Sequence, residues 1–202
     1  MSSLVSAEHL KKTFDGFVAV NDVTLQVTRG EVLGFLGPNG AGKTTTMRML
    51  TGYLEPNSGS IQIDGIDLLK QPEKAKAKIG YLPEGAPLYP DMTPRQMMRF
   101  FGSARGLDRD YVTSRIGRMI ELLHLENVAD QTIDTLSKGF KRRVGLAQAI
   151  MHDPPVLVLD EPTDGLDPNQ KHHVRRLIQE MAPDKAIIIS THILEEVEAI
   201  CS

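Results

Sequence analysis

Apolar and polar residues alternate in some parts of the chain and run together in others, and this contrast divides it into two kinds of sheet. Leu4 to Thr13, with Val5 and Leu10, predicts an opening strand. Val18-Ala19-Val20 and Val23-Thr24-Leu25-Gln26-Val27 follow as two strand segments, the second alternating as a half-buried strand does. Ser60-Ile61-Gln62-Ile63-Asp64 alternates again, and Asp64-Gly65 turns the chain into Ile66-Asp67-Leu68. These segments predict an antiparallel sheet. Glu31 to Leu36, Ile79 to Leu82, Val156 to Leu159 and Ala186 to Ile189 are instead short apolar runs, the pattern of strands buried on both faces of a parallel sheet.

Helical spacing fills the intervals. Lys43 to Leu50 predicts a helix stopped by Gly52, and Thr93 caps another that begins at Pro94, with Met97, Phe100 and Phe101 on its apolar side. Val112, Ile116, Met119, Ile120 and Leu123 mark the next, and Ser137 opens one running to about Met151. After Pro168, Val174, Leu177, Ile178 and Met181 share a face, with Pro183 beyond its end, and Ile193 to Ile200 forms a last helix. The Met and Phe residues read as core packing. The expected fold is α/β: a mostly parallel sheet flanked by helices, with an antiparallel β subdomain and an inserted helical subdomain. It forms one domain over 1–202, in which 1–89 and 151–202 build the core and 90–150 the helical insertion.

Chemistry enters after the Glu31–Leu36 strand. Gly37-Pro38-Asn39-Gly40-Ala41-Gly42-Lys43-Thr44-Thr45 fits the G-x-x-x-x-G-K-[ST] phosphate-binding loop, in the strand–loop–helix setting that this loop requires. Gly37, Gly40 and Gly42 let backbone N–H groups wrap a phosphate, and the helix N-terminus faces its charge. Lys43 would reach the β- and γ-phosphates of a nucleoside triphosphate, and the Thr44 hydroxyl would bind Mg²⁺. Asp160 and Glu161 end the apolar strand Val156–Leu159. Asp160 is placed to hold Mg²⁺ through water, and Glu161 to orient or deprotonate an attacking water. Ser137 by itself reads as a helix cap, as does Asp167 before Pro168. Lys141-Arg142-Arg143 reads as a solvated helix face, and His172 and His173 as residues on the polar side of a helix.

Together these stretches resemble the ABC-type ATPases. Leu136-Ser137-Lys138-Gly139-Phe140 is similar to the LSGGQ signature, departing from it at Lys138 and Phe140. Pro162 to Asp167 resembles the family's D-loop, and His192 after Ile189-Ser190-Thr191 its switch histidine. Ile79 to Glu84 occupies the Q-loop, with Glu84 in place of glutamine and still able to hold Mg²⁺ or water. Phe14 stands where the family stacks an aromatic on adenine, an ordinary core role being the other reading of it. Glu84 and the altered signature together resemble a bacterial branch serving two-component exporters, including gliding-motility-type ATPases. The resemblance implies a head-to-tail dimer sandwiching two MgATP, in which Ser137, Gly139 and Asp167 serve the nucleotide of the opposite subunit. It also implies hydrolysis that drives transport, export in that branch, through separate integral membrane permease subunits. Family members continue past the switch histidine's helix into further strands, which Ser202 leaves no room for.

Composition narrows the partners. A net charge of −3 gives no general attraction to nucleic acid or to an anionic membrane, so no nucleic-acid partner is expected. No apolar run approaches the roughly 18 residues that cross a bilayer, and Met1 to Val5 carries no signal-peptide pattern. One cysteine, Cys201, excludes an internal disulfide and suits a reducing cytoplasm. Together these readings expect a cytoplasmic chain held at the membrane's inner face by its permease partner. Two rival readings are a soluble non-transport ABC ATPase and a nucleotide-sensing module with little turnover. A GTPase lacks support, since no Asn-Lys-x-Asp motif occurs.

Overall fold

A computed structural model describes residues 3–201. Two four-stranded sheets organise them. The antiparallel sheet has the order β2-β1-β4-β5, from β1 (Ser3–Phe14), β2 (Phe17–Thr28), β4 (Ser58–Ile63) and β5 (Ile66–Asp67). The second sheet is wholly parallel, in the order β3-β8-β7-β6, from β3 (Val32–Leu36), β6 (Ile79–Leu82), β7 (Val156–Asp160) and β8 (Ala186–Thr191).

The helices α1 (Lys43–Leu50), α3 (Pro94–Ala104), α4 (Arg109–Leu122), α5 (Lys138–Ile150), α6 (Pro168–Met181) and α7 (Leu194–Ile200) lie where the pattern places them. Thr93 closes a reciprocal capping box with Gln96 at the start of α3. Two details differ from expectation. Val18–Val20 and Val23–Val27 belong to one strand, β2, which passes through a left-handed Asp22 where its pairing with β1 shifts register. A further helix, α2 (Pro72–Ala77), precedes β6; Ala75 is its one buried residue, so no apolar period announces it.

Period-two alternation in the parallel strands feeds two cores. Val156 and Val158 of β7, with Ala186 and Ile188 of β8, join β1, β4 and α1 on one face. Leu157, Leu159, Ile187 and Ile189 point the other way, into a cluster that continues through α3, α4, α5 and α6. The helical segment therefore shares its core with the sheet. Met97 and Met98 are the fully buried residues of α3, whereas Phe100 is 42% exposed and packs edge-on to Tyr89, so it lies outside the core expected for it.

Candidate functional site

All four parallel strands deliver a site segment from their carboxyl ends, where an open α/β sheet binds ligands. β3 leads into the glycine loop, β8 into His192, β7 ends in Asp160 before Glu161, and β6 leads into Pro83-Glu84. Register sets these ends side by side: Leu36 pairs with Thr191, Asp160 with Ser190, and Leu82 with Leu159.

The glycine loop ends at Gly42, the N-cap of α1, with φ +85. A Cβ there would lie 2.4 Å from the Ala19 carbonyl oxygen of β2, so only glycine fits both the turn and the contact. No side chain caps α1 and no acid occupies its first turn. By contrast, Thr93, Asp108, Ser137 and Asp167 cap α3 to α6. The start of α1 thus keeps its amides and dipole for an external anion. Lys43 Nζ donates to the carbonyls of Gly37 at 2.6 Å and Pro38 at 3.1 Å, folded over the loop that it would share with a phosphate.

A cavity of about 500 Å³ joins this loop to the other strand ends. Asn39, Gly40, Gly42, Lys43, Thr44 and Thr45 line one side, Glu84 and Glu161 another, and Phe14, Phe17 and Ala19 the rim. Phe14 and Phe17 are 44% and 65% exposed across the turn Asp15-Gly16, so Phe14 offers a ring face rather than filling the core. Phe17 lies beyond the sequence reading; the signal available was Asp15-Gly16, a two-residue hairpin turn that makes Phe14 and Phe17 a pair.

Behind Glu161, Asp160 is fully buried, its Oδ1 accepting a hydrogen bond from the Ser190 hydroxyl and its Oδ2 without a hydrogen-bond partner. Glu161 has φ +53, held by its N–H donating to Ser190 O at 3.1 Å and to Ser190 Oγ at 3.2 Å. Its carboxylate lies 3.1 Å from His192 Nδ1 through both oxygens. Thr44 and Glu84 bring oxygen donors, of the kind that suits Mg²⁺, to the cavity wall, while the unpartnered Asp160 oxygen lies buried and does not line it.

Arg142 is the residue that sequence reading misplaced. Arg142 and Arg143 are each 5% exposed, not solvated. Arg142 donates to Pro83 O at 2.7 Å and to Glu161 O at 2.6 Å, and also to Asp160 O. Burial pulls its guanidinium pKa down, and Asp164, Asp160, Glu161 and Glu84 oppose that shift. Arg143 donates to the carbonyls of Leu123 and His124, just past the end of α4, and stacks over Phe140. Guanidinium forks satisfy main-chain carbonyls that would otherwise be buried bare, which is why two charges enter the core.

Ser137, Gly139 and Asp167 stand apart from this cavity. Ser137 Oγ accepts from Phe140 N, and Asp167 caps α6 through Gln170 N. Gly139 is buried, and a Cβ on it would meet Gln170 Oε1 at 2.8 Å.

The ABC transporter family model matches residues 20–164. The chain belongs to the ABC transporter family. Among curated relatives, the Nod factor export ATP-binding protein I of Cupriavidus pinatubonensis is 38% identical over 203 residues, covering 100% of this chain and 62% of that protein. The ABC transporter ATP-binding protein NatA of Bacillus subtilis is 41% identical over 185 residues, covering 91% and 75%. A solved structure of an ATP binding subunit of an ABC transporter superposes with a TM-score of 0.90 at 33% identity, covering 98% of this chain and 83% of that one.

Lys138, in the stretch similar to the family's signature, bridges at 2.8 Å to Asp164, in the stretch that resembles its D-loop. That hydrogen bond holds the Asp164 carboxyl below the usual carboxylate range. His172 is exposed, as expected of a polar helix face, while His173 is half-buried, its ring against His124 and its Nε2 donating to Leu122 O at 2.8 Å. Among the described residues no helix is long and apolar enough to cross a membrane.

Proposed function

We propose that this chain binds and hydrolyses MgATP as the ATP-binding subunit of an ABC exporter, in a head-to-tail dimer coupled to separate integral membrane permease subunits. One observation carries the reading: the uncapped start of α1, Lys43, Glu161 and the exposed Phe14 ring all face one cavity, with the unpartnered Asp160 oxygen behind it. Phe14 stacks on the base, and the Gly37–Thr45 loop with Lys43 holds the phosphates. Asp160, Thr44 and Glu84 are the residues that would hold Mg²⁺, whose charge would lower the repulsion met by an attacking water. Glu161 accepts the proton of that water, and His192, bonded to Glu161, orients the carboxylate and reaches toward the terminal phosphate.

Ser137, Gly139 and Asp167 lie off this cavity, which supports their service to a second subunit's nucleotide. Residues 90–150 would carry the permease contact and bring an otherwise peripheral chain to the membrane's inner face. The export function named in the first relative supports outward transport.

The test is steady-state ATP hydrolysis against protein concentration, with Mg²⁺ present. A composite dimeric site predicts a rate per subunit that rises with concentration toward a plateau. A measurable rate per subunit that stays flat from nanomolar to micromolar concentrations contradicts it.

A further inference from the structure

A buried carboxylate outside the cavity joins the two chain segments that carry Glu161 and His192. Glu196, on α7, is 2% exposed. Its Oε1 accepts from Thr163 Oγ1 at 2.6 Å, and its Oε2 accepts from Thr191 Oγ1 at 2.9 Å. Both threonines are buried, at 2% and 1% exposure. Thr163 stands two residues after Glu161, and Thr191 immediately before His192. The Thr191 hydroxyl also accepts from Ile193 N at 3.1 Å, so the backbone turn that presents His192 is fastened on both sides.

The charge on Glu196 is met from α6. Lys171 Nζ lies 3.2 Å and Arg175 Nη2 3.5 Å from Oε1. A carboxylate this deep is costly unless paired and fully bonded, and an apolar side chain would fill the space at lower cost. What the carboxylate adds is two acceptor oxygens aimed at two separate chain segments, the loop after β7 and the end of β8. Glu161 and His192 touch at 3.1 Å although 31 residues separate them, and Glu196 is where their two segments share one anchor.

We propose that Glu196 is a positioning residue for ATP hydrolysis: by holding Thr163 and Thr191 together it fixes the Glu161–His192 pair in register. This rests on the reading of the site as a hydrolase. Loss of the anchor lets His192 drift out of register with Glu161, so that it no longer orients the acid on its water, while leaving the phosphate loop, which Glu196 does not touch, intact. A displacement of about 1 Å at a reacting group costs on the order of 100-fold in rate.

The experiment compares wild type with Glu196→Gln, Thr163→Val, His192→Ala and the double variant Glu196→Gln/His192→Ala. Turnover and the affinity for a non-hydrolysable ATP analogue are measured for each, with Glu161→Gln as the control for the parent reading. Expected are a fall in kcat of about 10–100-fold for Glu196→Gln, analogue affinity within about threefold, and a double variant no slower than His192→Ala. Amide exchange should rise at 162–166 and 191–194 and stay unchanged in α1, a readout independent of turnover. Unchanged kcat and exchange in a folded Glu196→Gln, or a rate loss that multiplies with that of His192→Ala, overturns the proposal. Wild-type turnover in Glu161→Gln instead removes the hydrolytic reading itself.

Discussion

In the loop after β3, Lys43 bonds to carbonyls six and five residues away, and Ala41 N–H returns to Pro38 O, so the phosphate loop closes on itself. At the end of β7 the contacts of Glu161 come from far along the chain: Ser190, 29 residues on; His192, 31 on; and Arg142, 19 back. One half of the site is a local backbone device, and the other is assembled by side chains from α5, β8 and the turn after β8. The loop can keep its shape for binding when distant contacts fail, whereas the acid end keeps its geometry only while the tertiary structure around it is complete.

Helix α5 shows how far that dependence reaches. Arg142, in its first half, donates to Pro83 O just after β6, and His152, just past its end, donates through Nε2 to Ile79 O at the start of β6. The edge strand that leads to Glu84 is therefore gripped at both ends by one helix. Replacing Arg142 by Leu strips three carbonyls of their donor and should cost about 3–5 kcal/mol, read as a lowered urea midpoint. Glu161 would lose its backbone anchor, so turnover should fall more than analogue binding. Equal losses in both would erase the distinction between the two halves.

His152 gives a smaller effect with a defined sign. Burial, aided by the nearby Arg105 charge, lowers its pKa to about 4 from 6.5. Between those values the unfolded chain takes up a proton that the folded chain refuses, so stability falls as pH falls through this window. The cost by pH 4 is on the order of 3 kcal/mol, and His152→Gln, able to keep the bond to Ile79 O, should flatten that slope. Urea midpoints of the two proteins from pH 7 to pH 4.5 check it; parallel slopes would contradict the assignment.

The same division governs what the sequence disclosed. The glycine loop lies in nine adjacent residues, and the buried strands show as apolar runs, so Gly42, Lys43, Thr44, Asp160 and Glu161 were legible with their elements. His192 was legible through its place after a buried strand. Arg142 was not: in sequence, Lys141-Arg142-Arg143 is a charge run, and its burial follows from carbonyls that reach it only after folding. Glu196 stayed hidden for the same reason among the acids of α7. Phe100 misled in the other direction, since helical spacing marks an apolar face but cannot say whether a neighbour covers it.

The most direct test of a site divided into a binding loop and an assembled catalytic end is to measure analogue affinity and turnover in Lys43→Ala and Glu161→Gln. Lys43→Ala should weaken the analogue about 10–100-fold, as the loss of a charge-assisted phosphate contact does. Glu161→Gln should bind it as wild type does and lose about 10²–10⁴ in turnover. Glu161→Gln turning over at the wild-type rate, or losing affinity as Lys43→Ala does, would contradict the account.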